Sequence, residues 1–243
     1  MPKSISVCAW TYNQENFVKP MMESVLHQKS SNFHLIIADD CSTDGTPVHI
    51  ENYSHIYKGL LTLVQPEKNI GAASDFCISK APKVDYIAFM DGDDQWLPEK
   101  LEKSIAFLEE NNYDMVCTDV MSINPAGEHL GRALDWMNLP QTLTIKELSV
   151  DNRIYTSTVV AKMGIILKSP GFLGFGYKVL LDYPLFLWLA ARYKIGYLNE
   201  ALTYKMQNTN SVLHHSNTKD IGIWEYGHQK MNMAQIISTT GRK

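Results

Sequence analysis

Four short apolar runs fall in roughly the first hundred residues: Ile5–Trp10, His34–Ala38, Leu60–Val64 and Tyr86–Met90. Each breaks into a polar turn and then into a helical segment, as with Phe17, Met21, Val25 and Leu26 after the first. A chain that alternates strands and helices in this way joins them by right-handed crossovers. The strands then lie parallel, and the loops that follow them collect on one edge of the sheet. The expected class is therefore α/β, a Rossmann-like, mostly parallel sheet flanked by helices. A length of 243 residues and a hydrophobic content of 45% fit one large domain.

What these strands deliver to that edge is acidic. Tyr86-Ile-Ala-Phe-Met-Asp-Gly-Asp-Asp-Gln-Trp-Leu-Pro98 runs from a strand buried on both faces into Asp91, Asp93 and Asp94, then into a helix expected to start at Pro98. Carboxylates crowded into one turn repel one another unless a cation sits among them or water solvates them fully. One reading is a solvated loop with a helix N-cap. The other is a site for divalent metal and phosphate at the carboxyl end of a central strand, where open α/β sheets bind ligands. Gly92 is expected to let the backbone turn tightly between its flanking aspartates. The second run also ends in acids, Asp39-Asp40-Cys41-Ser42-Thr43-Asp44-Gly45-Thr46. The third leads to Asn69-Ile-Gly71, whose glycine and small neighbours let a helix start close to a ligand. The two aspartate-rich turns are thus expected to meet in space.

A net charge of -4 with no basic stripe leaves nothing to neutralise a polynucleotide backbone, so no nucleic-acid partner is expected. Cys8, Cys41, Cys77 and Cys117 lack Cys-x-x-Cys spacing, which argues against a zinc site or a disulfide framework. Met1-Pro-Lys-Ser-Ile-Ser-Val enters a strand directly, and no run is long and apolar enough to span a bilayer. The expected compartment is the reducing cytoplasm.

Beyond a helix carrying Leu101, Ile105 and Leu108, Met115–Ser122 reads as a further strand and the pattern then loosens. Residues 124–143 read as an irregular loop, and Ser157–Leu167 as either strand or short helix. Asp182 stands at a helix start, with Pro184 in the first turn, and reads equally as an N-cap or as a carboxylate presented to the cleft. Ile195–Leu198 and Leu202–Met206 are short apolar pieces, and the polar stretch after them contains His214-His215. The last stretch, 221–237, is weakly helical and is expected to dock onto the domain, a membrane-surface or partner contact being the alternative. The expected division is a first half over 1–122, a second half of the same domain over 123–216, and a helical tail over 217–243.

Four segments then stand together: Ser6-Val-Cys-Ala-Trp-Thr-Tyr-Asn-Gln14, Ile36-Ile-Ala-Asp-Asp-Cys-Ser-Thr-Asp-Gly-Thr46, Asn69-Ile-Gly71 and Phe89-Met-Asp-Gly-Asp-Asp-Gln-Trp-Leu-Pro98. In this order and spacing they resemble the family 2 glycosyltransferases of the GT-A fold, closely from Ser4 to about Asn111 and more weakly beyond. The resemblance implies a metal-dependent, inverting transfer from a nucleotide-diphosphate sugar, a UDP-sugar being favoured. It also implies a glycan or lipid-linked acceptor of bacterial-type surface polysaccharide or lipid-linked oligosaccharide assembly, with peripheral contact at the inner face of a membrane.

By position, the resemblance gives Thr11, Tyr12 and Asp40 to the nucleotide, the tyrosine by stacking on the base and Asp40 by accepting from a ring N–H. Asn69 and Gly71 lie with them. Asp91 goes beside the ribose or serves as a second metal ligand, and Asp93 contacts the Mn2+ or Mg2+ ion that bridges the two phosphates. Asp94 has the weakest claim and reads as a carboxylate near the helix N-terminus. Asp182 occupies the place of the catalytic base, where the family usually has Glu-Asp and this chain has Leu181-Asp182. Where the family tends to have an arginine after Asn-x-Gly, this chain has Ser74-Asp75-Phe76. The family's Tyr-Arg-x-His becomes Tyr204-Lys-Met-Gln207, so Lys205 supplies the positive charge. His214 or His215 then either replaces the missing histidine as a metal or phosphate ligand or is simply solvated.

A nucleotidyltransferase of similar topology is the alternative enzyme, but Trp10-Thr-Tyr-Asn-Gln14 holds neither the glycine nor the lysine of a phosphate loop. A nucleotide-sugar-binding module without turnover is the alternative outside catalysis.

Overall fold

The computed structural model describes residues 3–30, 32–71, 73–177, 180–207, 228 and 232–238. The four apolar runs form β1 (Ile5–Thr11), β2 (Phe33–Asp39), β3 (Leu61–Val64) and β4 (Tyr86–Asp91). They pair in parallel in the order β3-β2-β1-β4, with α1 (Val18–Leu26), α2 (Thr46–Ile56) and α3 (Ala73–Lys80) as crossovers. Register sets Thr11 beside Asp39 and Trp10 beside Asp91, so their turns leave the sheet at one edge.

Successive side chains of a strand point to opposite faces, and both faces here are buried. Tyr86, Ala88 and Met90 join a core with α1, α2 and α4 (Lys100–Glu110), whereas Ile87 and Phe89 join the core on the α3 side. The α4 helix begins at Lys100 and not at the expected Pro98. The preceding residues form a two-residue strand, β5 (Gln95–Trp96), and Leu97 donates its N–H to the Leu202 carbonyl at 3.0 Å.

The second half of the chain completes the same sheet. Beyond β4 lie β9 (Val160–Lys162), β6 (Met115–Ile123), β10 (Ile195–Met206) and the short β5. Because β9 is antiparallel to both β4 and β6, and β10 is parallel to β6, the carboxyl ends of β4, β6 and β10 point the same way. Lys205, near the end of β10, is thereby carried to the edge that holds Asp91. The two apolar pieces expected there are one strand, its register shifted between Leu198 and Thr203 by bulging.

Residues 124–143, expected to be irregular, contain β7 (His129–Arg132) and β8 (Thr142–Leu143). Asp119 holds this region. Its buried carboxylate accepts from Arg132 Nε at 2.9 Å and from the N–H groups of Val120 at 2.7 Å and Leu134 at 2.9 Å. The stretch that read as strand or helix is both in succession, a 3₁₀ turn at Thr156–Thr158, then β9, then α6 (Met163–Ile166). The remaining helices are α5 (Ile145–Val150), α7 (Asp182–Ala190) and α8 (Met233–Ser238). Ile236 of α8 is buried in the core that contains α7, and Arg192 donates to the Ile237 carbonyl at 2.6 Å. No helix among the described residues is long and apolar enough to cross a membrane.

One core residue runs against its surroundings. Lys100 is fully buried with no hydrogen-bond partner among the described residues, its Nζ 4.0 Å from the centre of the Trp96 ring. Burial drives its pKa well below the usual 10.5, because removing an ammonium from water costs more than one aromatic face returns. The unfolded chain holds that proton more tightly than the folded one, so this lysine destabilises the fold until the pH approaches 10.5. Lys100→Met is expected to raise the unfolding free energy by about 1–4 kcal/mol near neutral pH. Urea titrations should show that gain shrinking as the pH is raised.

Candidate active site

The acidic turn after β4 is built around one buried carboxylate. Asp94 Oδ2 accepts from Ser157 Oγ at 2.6 Å and from Lys205 Nζ at 3.2 Å, while Asp94 Oδ1 accepts the Met206 N–H at 3.2 Å. Asp94 is therefore not a carboxylate at a helix N-terminus; it ties the turn to the end of β10. Ser157 also accepts the Asp91 N–H at 3.0 Å, and its carbonyl takes the Trp96 indole N–H at 2.7 Å. Sequence reasoning missed Ser157, a single serine in a weakly patterned stretch, and nothing local marks it.

Asp91 is partly exposed, with Oδ2 at 3.5 Å from Lys205 Nζ. Three carboxylates here face one ammonium, and the imbalance is visible at Asp94 and Asp93. Burial pushes Asp94 up to about 7 despite Lys205, and Asp93 and Asp91 add to it. Burial also raises Asp93, with Lys205 pulling down and Asp91 pushing up. Burial alone would lower Lys205, but Asp94, Asp91 and Asp93 together hold its ammonium well above the usual lysine range.

The nucleotide-side residues named from the sequence lie on neighbouring turns. The Asp40 N–H bonds to the Thr11 carbonyl at 3.0 Å, which sets the half-exposed Tyr12 close by. Asp40 is buried, and its two carboxylate oxygens each accept a backbone N–H at 2.8 Å, from Ile70 and from Gly71. Asn69 Nδ2 donates to the Asp40 carbonyl at 2.9 Å. Asp40 is thus the tie between the second and third turns. The tight turn expected at Gly92 is present, the Asp94 N–H bonding to the Asp91 carbonyl at 3.2 Å, but its φ is not positive and the glycine has a further reason. A Cβ there would stand 2.2 Å from Gln14 Oε1 and 2.8 Å from Thr11 Oγ1, so close approach of the β1 turn demands the glycine.

Asp182 is the first residue of α7; its Oδ1 accepts the Tyr183 N–H of the same helix at 2.9 Å, and its Oδ2 is turned to other elements. Oδ2 accepts from Asn152 Nδ2 and from Thr156 Oγ1, both at 3.2 Å. Burial raises its pKa, Asp91 raises it further, and Asn152 and Thr156 pull it back. Thr156 on Asp182 and the adjacent Ser157 on Asp94 and the Asp91 N–H join these carboxylates in one cleft. Leu180, just before the helix, sits at φ 52, a costly left-handed conformation for a branched side chain. His214 and His215 lie outside the described residues. Among the described residues no three His, Cys, Asp or Glu side chains converge as a metal cage.

Residues 6–162 match the family described as Glycosyl transferase family 2. The chain belongs to glycosyltransferase family 2. EpsE of Bacillus subtilis is 38% identical over 133 residues, which are 54% of this chain and 48% of that one, so the chain spans about half the length of that relative. The structure of S. aureus TarS residues 1–349 with UDP-GlcNAc superposes with a TM-score of 0.72 at 19% identity, covering 97% of this chain and 71% of that one. The mannosyltransferase PcManGT of Pyrobaculum calidifontis, in complex with GDP-Man and Mn2+, gives 0.71 at 15% identity over 97% and 65% of the two chains. These likenesses establish the GT-A fold.

Within this family 2 chain, Asp75 gains a structural reason. Its carboxylate accepts the N–H groups of Phe172 at 2.9 Å and Leu173 at 2.8 Å, beside Gly171 at φ +79. The Phe172 ring in turn packs edge-on against Trp10 and Phe89, at 5.5 and 5.4 Å between centroids. The glycine-rich segment leading toward Asp182 is thus clamped onto the sheet beneath the acidic turn. Asp75→Ala leaves two N–H groups without their acceptor and is expected to cost about 1–3 kcal/mol. Thermal unfolding should register the loss, and limited proteolysis should find new cleavage within 169–177.

Proposed function

We propose that this chain transfers a sugar from a nucleoside-diphosphate sugar to an acceptor hydroxyl with inversion at the anomeric carbon. The observation that carries the reading is one sheet edge holding the Tyr12–Asp40 pair, the Asp91–Asp93–Lys205 cluster and Asp182. Tyr12 stacks on the base, and Asp40 positions the loop beside it while accepting from a ring N–H. Thr11, Asn69 and Gly71 complete that side, and Lys205 faces the diphosphate. UDP-GlcNAc and GDP-Man in the structural neighbours support a nucleotide-sugar donor, and a UDP-sugar is the favoured one.

Asp182 takes the acceptor's hydroxyl proton. The freed oxygen attacks the anomeric carbon from the face opposite the diphosphate, and the nucleoside diphosphate leaves with the electron pair of the broken C–O bond. A raised pKa suits this task, since it makes the ionised carboxylate a stronger base.

The donor set fits a divalent metal. Asp91 and Asp93 are hard oxygen ligands in a cluster with surplus negative charge, and Mg2+ or Mn2+ at such sites is held by one or two carboxylates together with substrate phosphates and water. The absence of a cage among the described residues accords with that arrangement. Asp93 and Asp91 would hold the ion, and when bound it neutralises charge developing on the leaving diphosphate. The acceptor is a glycan or lipid-linked hydroxyl of surface polysaccharide assembly, met in the cytoplasm at the inner face of a membrane.

Asp182→Asn is expected to lower turnover about a hundredfold or more with donor affinity largely kept. Unchanged turnover in that variant would instead mark a binding module with its chemistry elsewhere. Asp93→Ala is expected to abolish metal-dependent donor binding in calorimetry. The base acts ionised, so kcat/KM falls as the pH drops through the raised Asp182 pKa, above the ordinary 3.8. Thr156→Val removes a donor that lowers this pKa, so its pH profile should show the acid limb moved upward.

A further inference from the structure

Lys205 already occupies the acidic cluster with a positive charge. Its Nζ lies 3.2 Å from Asp94 Oδ2 and 3.5 Å from Asp91 Oδ2. The backbone that carries it is anchored, because Asp94 is wholly buried and the next residue, Met206, donates its N–H to the same carboxylate at 3.2 Å. Pairing of Thr203 and Tyr204 with β5 and of Lys205 with Ser122 on β6 fixes the strand as well. A divalent ion on Asp91 would share its ligand with this ammonium, and like charges in a half-buried cleft repel strongly. A diphosphate reverses the balance, since its oxygens accept from the ammonium and bind the ion at once.

We infer that Lys205 keeps divalent metal out of the nucleotide-free cleft and admits it only together with a nucleoside diphosphate. The inference rests on Asp91 and Asp93 being the metal ligands. Metal and nucleotide then strengthen one another's binding by the same factor, as linkage requires. A cleft with only carboxylates would load metal first, and this one does not.

The test is Mn2+ binding followed by electron paramagnetic resonance of the free ion, with and without UDP. It compares the wild-type chain with Lys205→Met and with the double variant Asp94→Asn/Lys205→Met. The double variant removes both charges of the buried pair, so a folded protein is available even where the single change leaves Asp94 buried alone. Wild type is expected to bind Mn2+ at least about tenfold more tightly with UDP than without it. The folded variants are expected to bind Mn2+ without UDP at least about tenfold more tightly than wild type. Equal Mn2+ affinity of wild type and variants without UDP overturns the role given to Lys205 and leaves the metal ligands standing. Failure of every protein to bind Mn2+, even with UDP, overturns Asp91 and Asp93 as ligands and the inference with them.

Discussion

The contact between Asp94 and Lys205 is the one on which the cleft depends. It joins residues 111 apart in sequence and is sealed from water on the carboxylate side. A buried carboxylate is costly unless its oxygens are occupied, and here a hydroxyl, an ammonium and a backbone N–H occupy them. The same bonds fix several other features. Through Met206 they hold the end of β10, and through Ser157 they hold the Asp91 backbone and the Trp96 indole. Removing one partner therefore strands a buried charge and loosens three elements together.

The architecture explains how distant segments come to share this point. Parallel strands deliver their loops to a single edge, which accounts for the Thr11, Asp40 and Asp91 turns. Asp182 and Ser157 arrive by another route. β9 is inserted between β4 and β6, antiparallel to both, so the turn before it approaches the edge from the opposite direction. The stretch that leads into β9 supplies Asn152 and Thr156 to Asp182 and Ser157 to Asp94. A strand of the second half thus lies between two strands of the first, and the halves interlock at the site.

How much of this was legible in the sequence depends on whether the signal is local. Apolar runs of four to seven residues announce themselves, and the two that end in acids bring Asp40, Asp91 and Asp93 to one edge. Strands of two to four residues do not, because so short a segment carries no period; β5, β7, β8 and β9 are of this kind. They are held by long-range contacts such as Arg132 with Asp119. Ser157, Asn152 and Thr156 are common polar residues whose meaning lies wholly in a distant carboxylate. Gly92 was singled out for its backbone freedom, whereas the space it leaves for Gln14 and Thr11 is what requires it. Asp75 stood out only as a departure from the family pattern, and its partners, ninety-seven and ninety-eight residues away, supply the reason.

One buried and one partly buried lysine show what decides the electrostatics of this protein. Lys100 and Lys205 both lose water on folding, which by itself lowers the pKa of each. Lys100 meets only an aromatic face and is pushed down; Lys205 meets three carboxylates and is held up. For Lys205 neighbouring charge outweighs burial, whereas at Asp94 and Asp93 burial outweighs the pull of Lys205. The same field reaches Asp182, where Asp91 adds to the effect of burial. The contacts carry the same link, since Thr156 donates to Asp182 while the adjacent Ser157 donates to Asp94 and accepts the Asp91 N–H. The carboxylate proposed as base and those proposed as metal ligands are thus tied through two adjacent residues of one turn, and a change at either is felt at the other.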